Sequence, residues 1–125
     1  MNKLFLSLSA ILAGLSVAGG AFASHALKGK ISERALEIFE TGSKYQMYHA
    51  LALLAIALLL SRGEVASTLL TTAGFAFIAG IVLFSGSLYA LSLSGIRWLG
   101  AITPLGGVAF LVGWSCLAVA AWSFK

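Results

Sequence analysis

The stretch Val65–Leu93, VASTLLTTAGFAFIAGIVLFSGSLYALSL, carries no charged side chain anywhere along its length. A helix that crosses a bilayer needs about 20 mainly apolar residues, so this stretch predicts a membrane-spanning helix. Its extra length indicates a helix that is tilted or that contains a break. Three further apolar stretches meet the same criterion. Two precede it, at residues 4–26 and 45–61, and one follows it, at residues 104–122.

The composition of the whole chain also favours a membrane protein. Of the 125 residues, 60% are hydrophobic and only 10% are charged, whereas soluble domains carry about 25% charged residues. A soluble domain of this size buries only about two-thirds of its chain surface, so it could not hide so much apolar area. We therefore predict an all-α fold: an integral membrane four-helix bundle that forms one transmembrane domain over residues 1–125.

The net charge of +4 does not indicate a nucleic-acid partner. The basic residues stand at the ends of the apolar runs, where Lys and Arg usually flank spans, and they form no basic stripe. Four spans place both termini on one side of the membrane, with Lys3, Arg62 and Lys125. The positive-inside rule favours the other side as cytoplasmic, because five basic residues lie there: Lys28, Lys30, Arg34, Lys44 and Arg97.

A charged segment separates the first two spans. Ser32 is a typical N-cap residue, Glu33 suits a first helical turn, and Gly42 suits a helix end. Leu36 and Phe39 share an apolar side of this segment. The pattern predicts a short amphipathic helix over 32–41, lying either on the membrane surface or as a solvated loop helix.

The first apolar stretch has a second interpretation. Lys3, the apolar run and the small residues of Ala21-Phe22-Ala23 resemble a secretory signal peptide with its cleavage site. The run is longer than the apolar region of a typical signal peptide. We therefore expect it to be a retained first helix.

Polar residues near the start of span two form the main candidate ligand or proton site. Tyr45 and Gln46 lie four and three residues before His49, so their side chains meet on one side of a helix. His25 ends span one near the same membrane surface, and Tyr89 could close the cluster. A histidine pair can bind an ion or a ligand or move protons, but a neutral histidine can also simply hydrogen-bond a carbonyl. No third strong metal ligand stands nearby in the sequence, and nothing requires Glu37 or Glu40 to reach the histidines, so no metal site is predicted and the cofactor is unknown.

Span three contains a candidate helix break. Gly86 lies between Ser85 and Ser87, whose hydroxyls can bond backbone groups that a kink releases. These residues could line a path through the membrane, or they could form a polar contact between helices. No charged residue lies deep within a span, which argues against an ion-coupled pump.

Small residues in the spans indicate close helix packing. Gly14 lies on span one, and Gly106, Gly107 and Gly113 lie on span four. Small residues let helix backbones approach each other in lipid. Packing within one bundle is the simpler interpretation, and a second copy of the chain is a further candidate partner besides the membrane lipids.

Four of these segments resemble a known family. The chain is similar to the uncharacterised YgdD/YwdK-type small membrane proteins, catalogued as domain-of-unknown-function family 423. The resemblance rests on residues 20–27 (GAFASHAL), 41–54 (TGSKYQMYHALALL), 84–89 (FSGSLY) and 100–107 (GAITPLGG). It implies a bacterial inner-membrane protein, or a relative in organelles, with several spans and no assigned activity. The family often has Gly-Ala-His where this chain has Ala23-Ser24-His25.

The leading functional hypothesis is a structural or ligand-binding membrane protein whose small-molecule or ion ligand is unknown. Two alternatives stay open: a small transporter or channel subunit, and a membrane redox protein with a histidine-based metal or quinone site. The sequence shows no glycine-rich phosphate loop, no Ser/His/Asp arrangement and no paired catalytic carboxylates. Enzyme activity is therefore not expected.

Overall fold

A computed structural model describes residues 1–63 and 67–124, and those residues contain helices and no strand. The chain forms α1 (Asn2–Phe22), α2 (Glu33–Arg62), α3 (Ser67–Gly80), α4 (Gly86–Ser94) and α5 (Thr103–Ala121). A π-helical turn, Ala23–Leu27, extends α1, and a second one, Ile81–Ser85, joins α3 to α4. A short 3₁₀-helix, Arg97–Ala101, leads into α5.

Four of the resulting helical units are long and apolar enough to cross a membrane: Asn2–Leu27, Glu33–Arg62, Ser67–Ser94 and Arg97–Ala121. The predicted all-α fold with four membrane-spanning helices is therefore confirmed. The third span was predicted to run from Val65 to Leu93. Leu93 belongs to α4, and Val65 lies outside the described residues.

The second span differs from its prediction because α2 begins at Glu33 and continues without interruption to Arg62. The predicted amphipathic helix is present as the first turns of α2, and the Ser32 hydroxyl caps it by accepting from the Ala35 amide at 3.0 Å. The helix end predicted at Gly42 is wrong. Gly42 is buried inside the helix, where its missing side chain makes room for Leu88 and Tyr89.

The predicted break in the third span has a specific form. Gly86 itself is helical, with φ −59°, and the irregular backbone is the π turn directly before it. A π turn inserts one residue into a helix, so the side chains on either side of it face different neighbours. Ser85 ends this turn and is fully buried.

The helices pack in the order α1, α2, α3–α4, α5. The α1 and α2 helices are antiparallel, since Ser16 pairs with Ser43 and the Leu12 carbonyl pairs with Gln46 further along. The α2 helix lies between α1 and the α3–α4 unit, and α5 packs on the other side of α3. The largest completely buried apolar side chains belong to α1, α2 and α3: Phe5, Leu53, Ile56, Leu70 and Phe77.

Glycine allows α5 to approach both α3 and the π turn that follows it. A Cβ atom at Gly106 would overlap the backbone of Phe84, and one at Gly113 would overlap the Phe77 ring. Both glycines therefore lie at close contacts between helices. Gly14 and Gly107 differ, because a Cβ atom on either meets nothing within 4 Å. Gly14 faces outward from α1, and Gly107 faces a cavity.

Candidate functional site

His49 is the centre of the candidate site, and both of its ring nitrogens have partners. Its Nδ1 lies 2.8 Å from the Tyr45 carbonyl oxygen, and its Nε2 lies 3.1 Å from the indole nitrogen of Trp114. A carbonyl can only accept a hydrogen bond and an indole N–H can only donate one. His49 is therefore a neutral ring that donates from Nδ1 and accepts at Nε2.

Aromatic rings hold His49 in this orientation. Its ring stacks on Phe110 with 3.5 Å between the ring centroids and 7° between the planes. Phe77 and Trp114 pack against other edges of the imidazole. The side chain is only 5% exposed, so it forms a rigid wall that joins α2 to α5.

A cavity of about 480 Å³ lies against this wall, between α2 and α5. Its lining atoms are almost all apolar, and the residues that contribute them are Tyr45, His49, Phe84, Pro104, Gly107, Val108, Phe110, Leu111 and Trp114. Val108 and Leu111 are 58% and 67% exposed. The outer rim of the cavity therefore faces the surroundings of the bundle, which in a membrane are lipid chains.

The cavity is a groove that follows one face of α5. Pro104, Gly107, Leu111 and Trp114 recur every three or four residues, which is the spacing of a single helix face. Ten residues separate the first from the last, and at 1.5 Å per residue the groove is about 15 Å long. Gly107 has no side chain and leaves the groove open between Pro104 and Leu111.

Gln46 and Tyr89 belong to a different contact from His49. The Gln46 side chain donates to the Leu12 carbonyl at 2.8 Å and accepts from the Tyr89 hydroxyl at 2.6 Å. It therefore joins α1, α2 and α4. Gln46 and Tyr45 are about 100° apart around α2, and because α2 has neighbours on both sides, the two side chains meet different helices.

A serine pair strengthens the contact between α1 and α2. The hydroxyls of Ser16 and Ser43 each donate to the other residue's carbonyl, at 2.6 and 2.9 Å. Both residues are buried. These two reciprocal bonds, each from a hydroxyl to the facing backbone carbonyl, set the register of the helices.

The structure does not bring His25 to His49. From the level of the Ser16–Ser43 pair, His25 lies nine residues along α1 in one direction, and His49 lies six residues along α2 in the opposite direction. At 1.5 Å per residue, this separates them by about 22 Å along the bundle. His25 is exposed in the π turn that ends α1. The prediction placed both residues near one surface because it started span two at Tyr45, whereas α2 starts twelve residues earlier.

The serines of the predicted break make contacts between and within helices. The Ser85 hydroxyl donates to the Gly42 carbonyl at 2.6 Å, across the interface with α2. The Ser87 hydroxyl donates to the Phe84 carbonyl at 3.0 Å and lies 2.6 Å from the Thr103 hydroxyl. In the described residues, no buried side-chain nitrogen or oxygen lacks a hydrogen-bond partner. The two serine hydroxyls are therefore used in packing, and neither residue lines the cavity.

The described part of the chain contains no group of three or more His, Cys, Asp or Glu side chains that could hold a metal ion. Comparison with known proteins places the chain in a family. Residues 19–107 match the family described as "Protein of unknown function (DUF423)". The chain belongs to this family. Five of the nine residues that line the cavity, including Tyr45, His49 and Gly107, lie in the DUF423 region, and Val108, Phe110, Leu111 and Trp114 follow it.

Individual DUF423 relatives resemble the chain over nearly its full length. The UPF0382 membrane protein YwdK of Bacillus subtilis (strain 168) is 52% identical over 119 residues, which are 95% of this chain and 96% of that protein. The UPF0382 membrane protein SAB0533 of Staphylococcus aureus (strain bovine RF122 / ET3-1) is 47% identical over 122 residues, 98% of each chain. No solved structure shows a significant match to the chain. The recognition of this family from its four motifs is confirmed.

Sequence reasoning found the α2 side of the groove and missed the α5 side. It identified Tyr45 and His49 because polar residues stand out in an apolar span. Pro104, Phe110 and Trp114 were missed because apolar residues in a span look alike. Their repeat along one face of α5 is visible in the sequence, but it does not show that α5 stands apart from α2 at this level.

Proposed function

We propose that this small membrane protein is a binding protein for an apolar ligand that is dissolved in the membrane. The observation that supports this most directly is the groove of about 480 Å³ between α2 and α5. The groove opens to the outside of the bundle, and it lies beside a buried histidine whose two ring nitrogens both have hydrogen-bond partners.

The chemistry of the groove favours an apolar ligand. His49 and Trp114 direct their polar atoms at each other, so neither offers a free hydrogen-bonding group to a ligand at this wall. A ligand with an apolar body can pack against the aromatic side chains that line the groove. Because the rim is exposed on the outside of the bundle, such a ligand can enter sideways from the membrane.

The alternatives receive less support. A metal at His49 would have to displace the Trp114 indole from Nε2 or break the bond from Nδ1 to the Tyr45 carbonyl. A transport path through residues 85–87 would need hydroxyls that now bond Gly42, Phe84 and Thr103. Self-association, which the sequence suggested, stays a prediction.

Co-purification tests the proposed function with two matched glycine variants. Gly107→Leu fills the groove, and Gly14→Leu adds the same side chain in open space outside it. Each protein is extracted from its own membranes in mild detergent, and the retained apolar molecules are identified by mass spectrometry. We expect a molecule that the unmodified protein and Gly14→Leu retain and that Gly107→Leu loses at least severalfold. Identical retention by all three proteins would contradict the proposal.

We also propose that the protein resides in the bacterial inner membrane with both termini outside. Five basic residues, in the 28–44 segment and at Arg97, lie on the side opposite the termini, against three on the terminal side. Fusing a reporter to the C-terminus tests this orientation. An alkaline phosphatase fusion should be active and a green fluorescent protein fusion dark, and the reverse result would place the termini in the cytoplasm.

A further inference from the structure

One polar side-chain group on the wall of the groove has no partner in the protein. Among the nine lining residues, the side chains that can form hydrogen bonds are those of Tyr45, His49 and Trp114. The ring nitrogens of His49 and Trp114 bond the Tyr45 carbonyl and each other. The Tyr45 hydroxyl makes no hydrogen bond with any residue that the structure describes. Of the lining side chains, Tyr45 is therefore the one that can still donate to a ligand.

The Tyr45 ring lies near the start of α5. Its centroid is 4.7 Å from that of Phe84, and the backbone of Phe84 packs against Gly106. His49, one turn further along α2, instead bonds Trp114, which lies further along α5. The two walls of the groove thus run in the same direction, with Tyr45 toward one end and the pair of His49 and Trp114 at the other.

The Tyr45 hydroxyl points toward the Pro104 end of the groove. Side chains on a helix lean toward its N-terminus, so the hydroxyl is directed away from His49, which follows on α2. The atoms that line the groove are almost all apolar, so the ring of Tyr45 forms part of the wall and its hydroxyl lies at the edge. The residue is 38% exposed, which leaves this edge open to a ligand.

The Pro104 end of the groove is the end nearer the membrane surface. The α5 helix has 19 residues and Pro104 in its first turn, so it is about 28 Å long and matches the roughly 30 Å of the hydrocarbon core. Trp98, just before α5, is 67% exposed, as is typical of an aromatic anchor at the interface. Trp114 lies near the middle of the helix. A ligand in the groove therefore has one end near the surface and the other near the midplane.

This distribution of polar groups matches a carbonyl oxygen at one end of a long apolar body. Ligand sites are typically lined by apolar and aromatic side chains, with a few polar groups that fix the orientation of the ligand. A carbonyl oxygen accepts from the Tyr45 hydroxyl and needs no donor or acceptor besides it. A ligand hydroxyl would leave one of the two hydrogens without an acceptor. A charged group would find no opposite charge, since none of the lining side chains is charged.

We propose that the groove binds a long apolar molecule with a carbonyl oxygen at one end, and that this oxygen accepts a hydrogen bond from the Tyr45 hydroxyl. This inference rests on the proposed function and names its ligand class. The carbonyl end lies toward the membrane surface, and the apolar tail runs along α5 toward Trp114. A fatty ester and a quinone with an apolar tail both carry such an oxygen.

Quenching of Trp114 fluorescence measures occupancy of the groove. The background variant Trp98→Phe/Trp122→Phe leaves Trp114 as the single tryptophan. The protein is reconstituted into vesicles of ether-linked phosphatidylcholine, which has no ester carbonyl to compete. The vesicles contain increasing fractions of a chain-brominated fatty acid methyl ester, a quinone with an isoprenoid tail, or a brominated alkane without oxygen. The fraction that gives half-maximal quenching compares the affinities of the three compounds.

Two tyrosine variants test the hydrogen bond. Tyr45→Phe keeps the ring and removes the hydroxyl, and we expect it to raise the half-maximal fraction about two- to tenfold for the ester, the quinone or both, as for the loss of one hydrogen bond. The alkane should not change. The compound that responds identifies the source of the carbonyl.

Tyr48→Phe is the matched control, because Tyr48 is 55% exposed and lies outside the groove. It should leave all three curves unchanged. Three results would overturn the role of Tyr45: no response to Tyr45→Phe, an equal response of the alkane, or the same response in both tyrosine variants.

The Gly107→Leu variant separates this inference from the proposed function. If the groove binds apolar molecules, filling it should weaken quenching by all three compounds. If Gly107→Leu weakens all three curves but Tyr45→Phe changes none, the groove binds apolar molecules without recognising a carbonyl, and the inference fails alone. If Gly107→Leu changes no curve, none of the compounds occupies the groove, and the proposed function fails with it.

Discussion

The indole N–H of Trp114 donates to Nε2 of His49 across 3.1 Å and so connects α5 to α2 beside the groove. It also completes the hydrogen bonding of a histidine that lies well inside a membrane-spanning helix. Hydrogen bonds between membrane helices contribute about 0.6 kcal/mol on average and at most about 1.7 kcal/mol. We expect the contribution of this bond to lie in the upper part of that range, because Nε2 has no other donor when Trp114 is removed.

The first prediction removes this donor while keeping an aromatic ring. Trp114→Phe should lower the free energy of unfolding by about 1–2 kcal/mol, since the buried Nε2 loses its partner. The free energy is measured by unfolding the protein with sodium dodecyl sulfate in mixed micelles while circular dichroism monitors the loss of helix. Trp122→Phe is the matched control, because Trp122 is 92% exposed. Equal losses in both variants would show that the bond to His49 contributes nothing.

The second prediction concerns the link between α2 and α4. Tyr89→Phe removes the hydroxyl that donates to the Gln46 side chain at 2.6 Å, and we expect a loss of about 0.5–1.7 kcal/mol in the free energy of unfolding. Tyr48→Phe removes an exposed hydroxyl from α2 and should change it little. In a double-mutant cycle with Gln46→Leu, the two substitutions should couple. A coupling energy near zero would contradict this hydrogen bond.

The third prediction compares two adjacent glycines on α5. Gly106→Ala places a methyl group against the backbone of Phe84, which cannot move without separating α5 from the π turn. We expect a loss of about 1–3 kcal/mol in the free energy of unfolding. Gly107→Ala points into the groove and should be neutral or stabilising by up to about 1 kcal/mol, because alanine favours the helix. The same unfolding assay measures both variants, and the reverse order would contradict the packing of α5.

The four spans could be predicted from the sequence because a bilayer requires long apolar runs, and runs such as 65–93 are easily seen. The length of α2 could not, because its first three turns are charged and Gly42 resembles a helix end. In the structure Gly42 allows α2 and α4 to pack closely, and this role is visible only in the tertiary packing. The neighbour that each face of α2 contacts could not be predicted either. Because α2 has neighbours on two sides, Gln46 and Tyr45 meet different helices. Local spacing predicts which side chains are near each other on one helix, but not which helix each will meet.

The last prediction concerns the two histidines. His49→Ala removes a ring that stacks on Phe110 and bonds both Tyr45 and Trp114, and it leaves a void in the bundle. We expect a loss of about 2–4 kcal/mol in the free energy of unfolding, as for other large-to-small changes at buried sites. His25→Ala acts at an exposed turn and should change it by less than about 0.5 kcal/mol.

The double variant distinguishes separate histidines from a histidine pair. Sites more than about 10 Å apart with no shared partner have effects that add within about 0.5 kcal/mol. His25 and His49 are about 22 Å apart along the bundle, so the loss in His25→Ala/His49→Ala should equal the sum of the single losses. A coupling well above about 0.5 kcal/mol would mean that the two residues share a site after all. The register set by Ser16 and Ser43 would then be wrong, because the two rings could meet only if α1 and α2 packed in a different register.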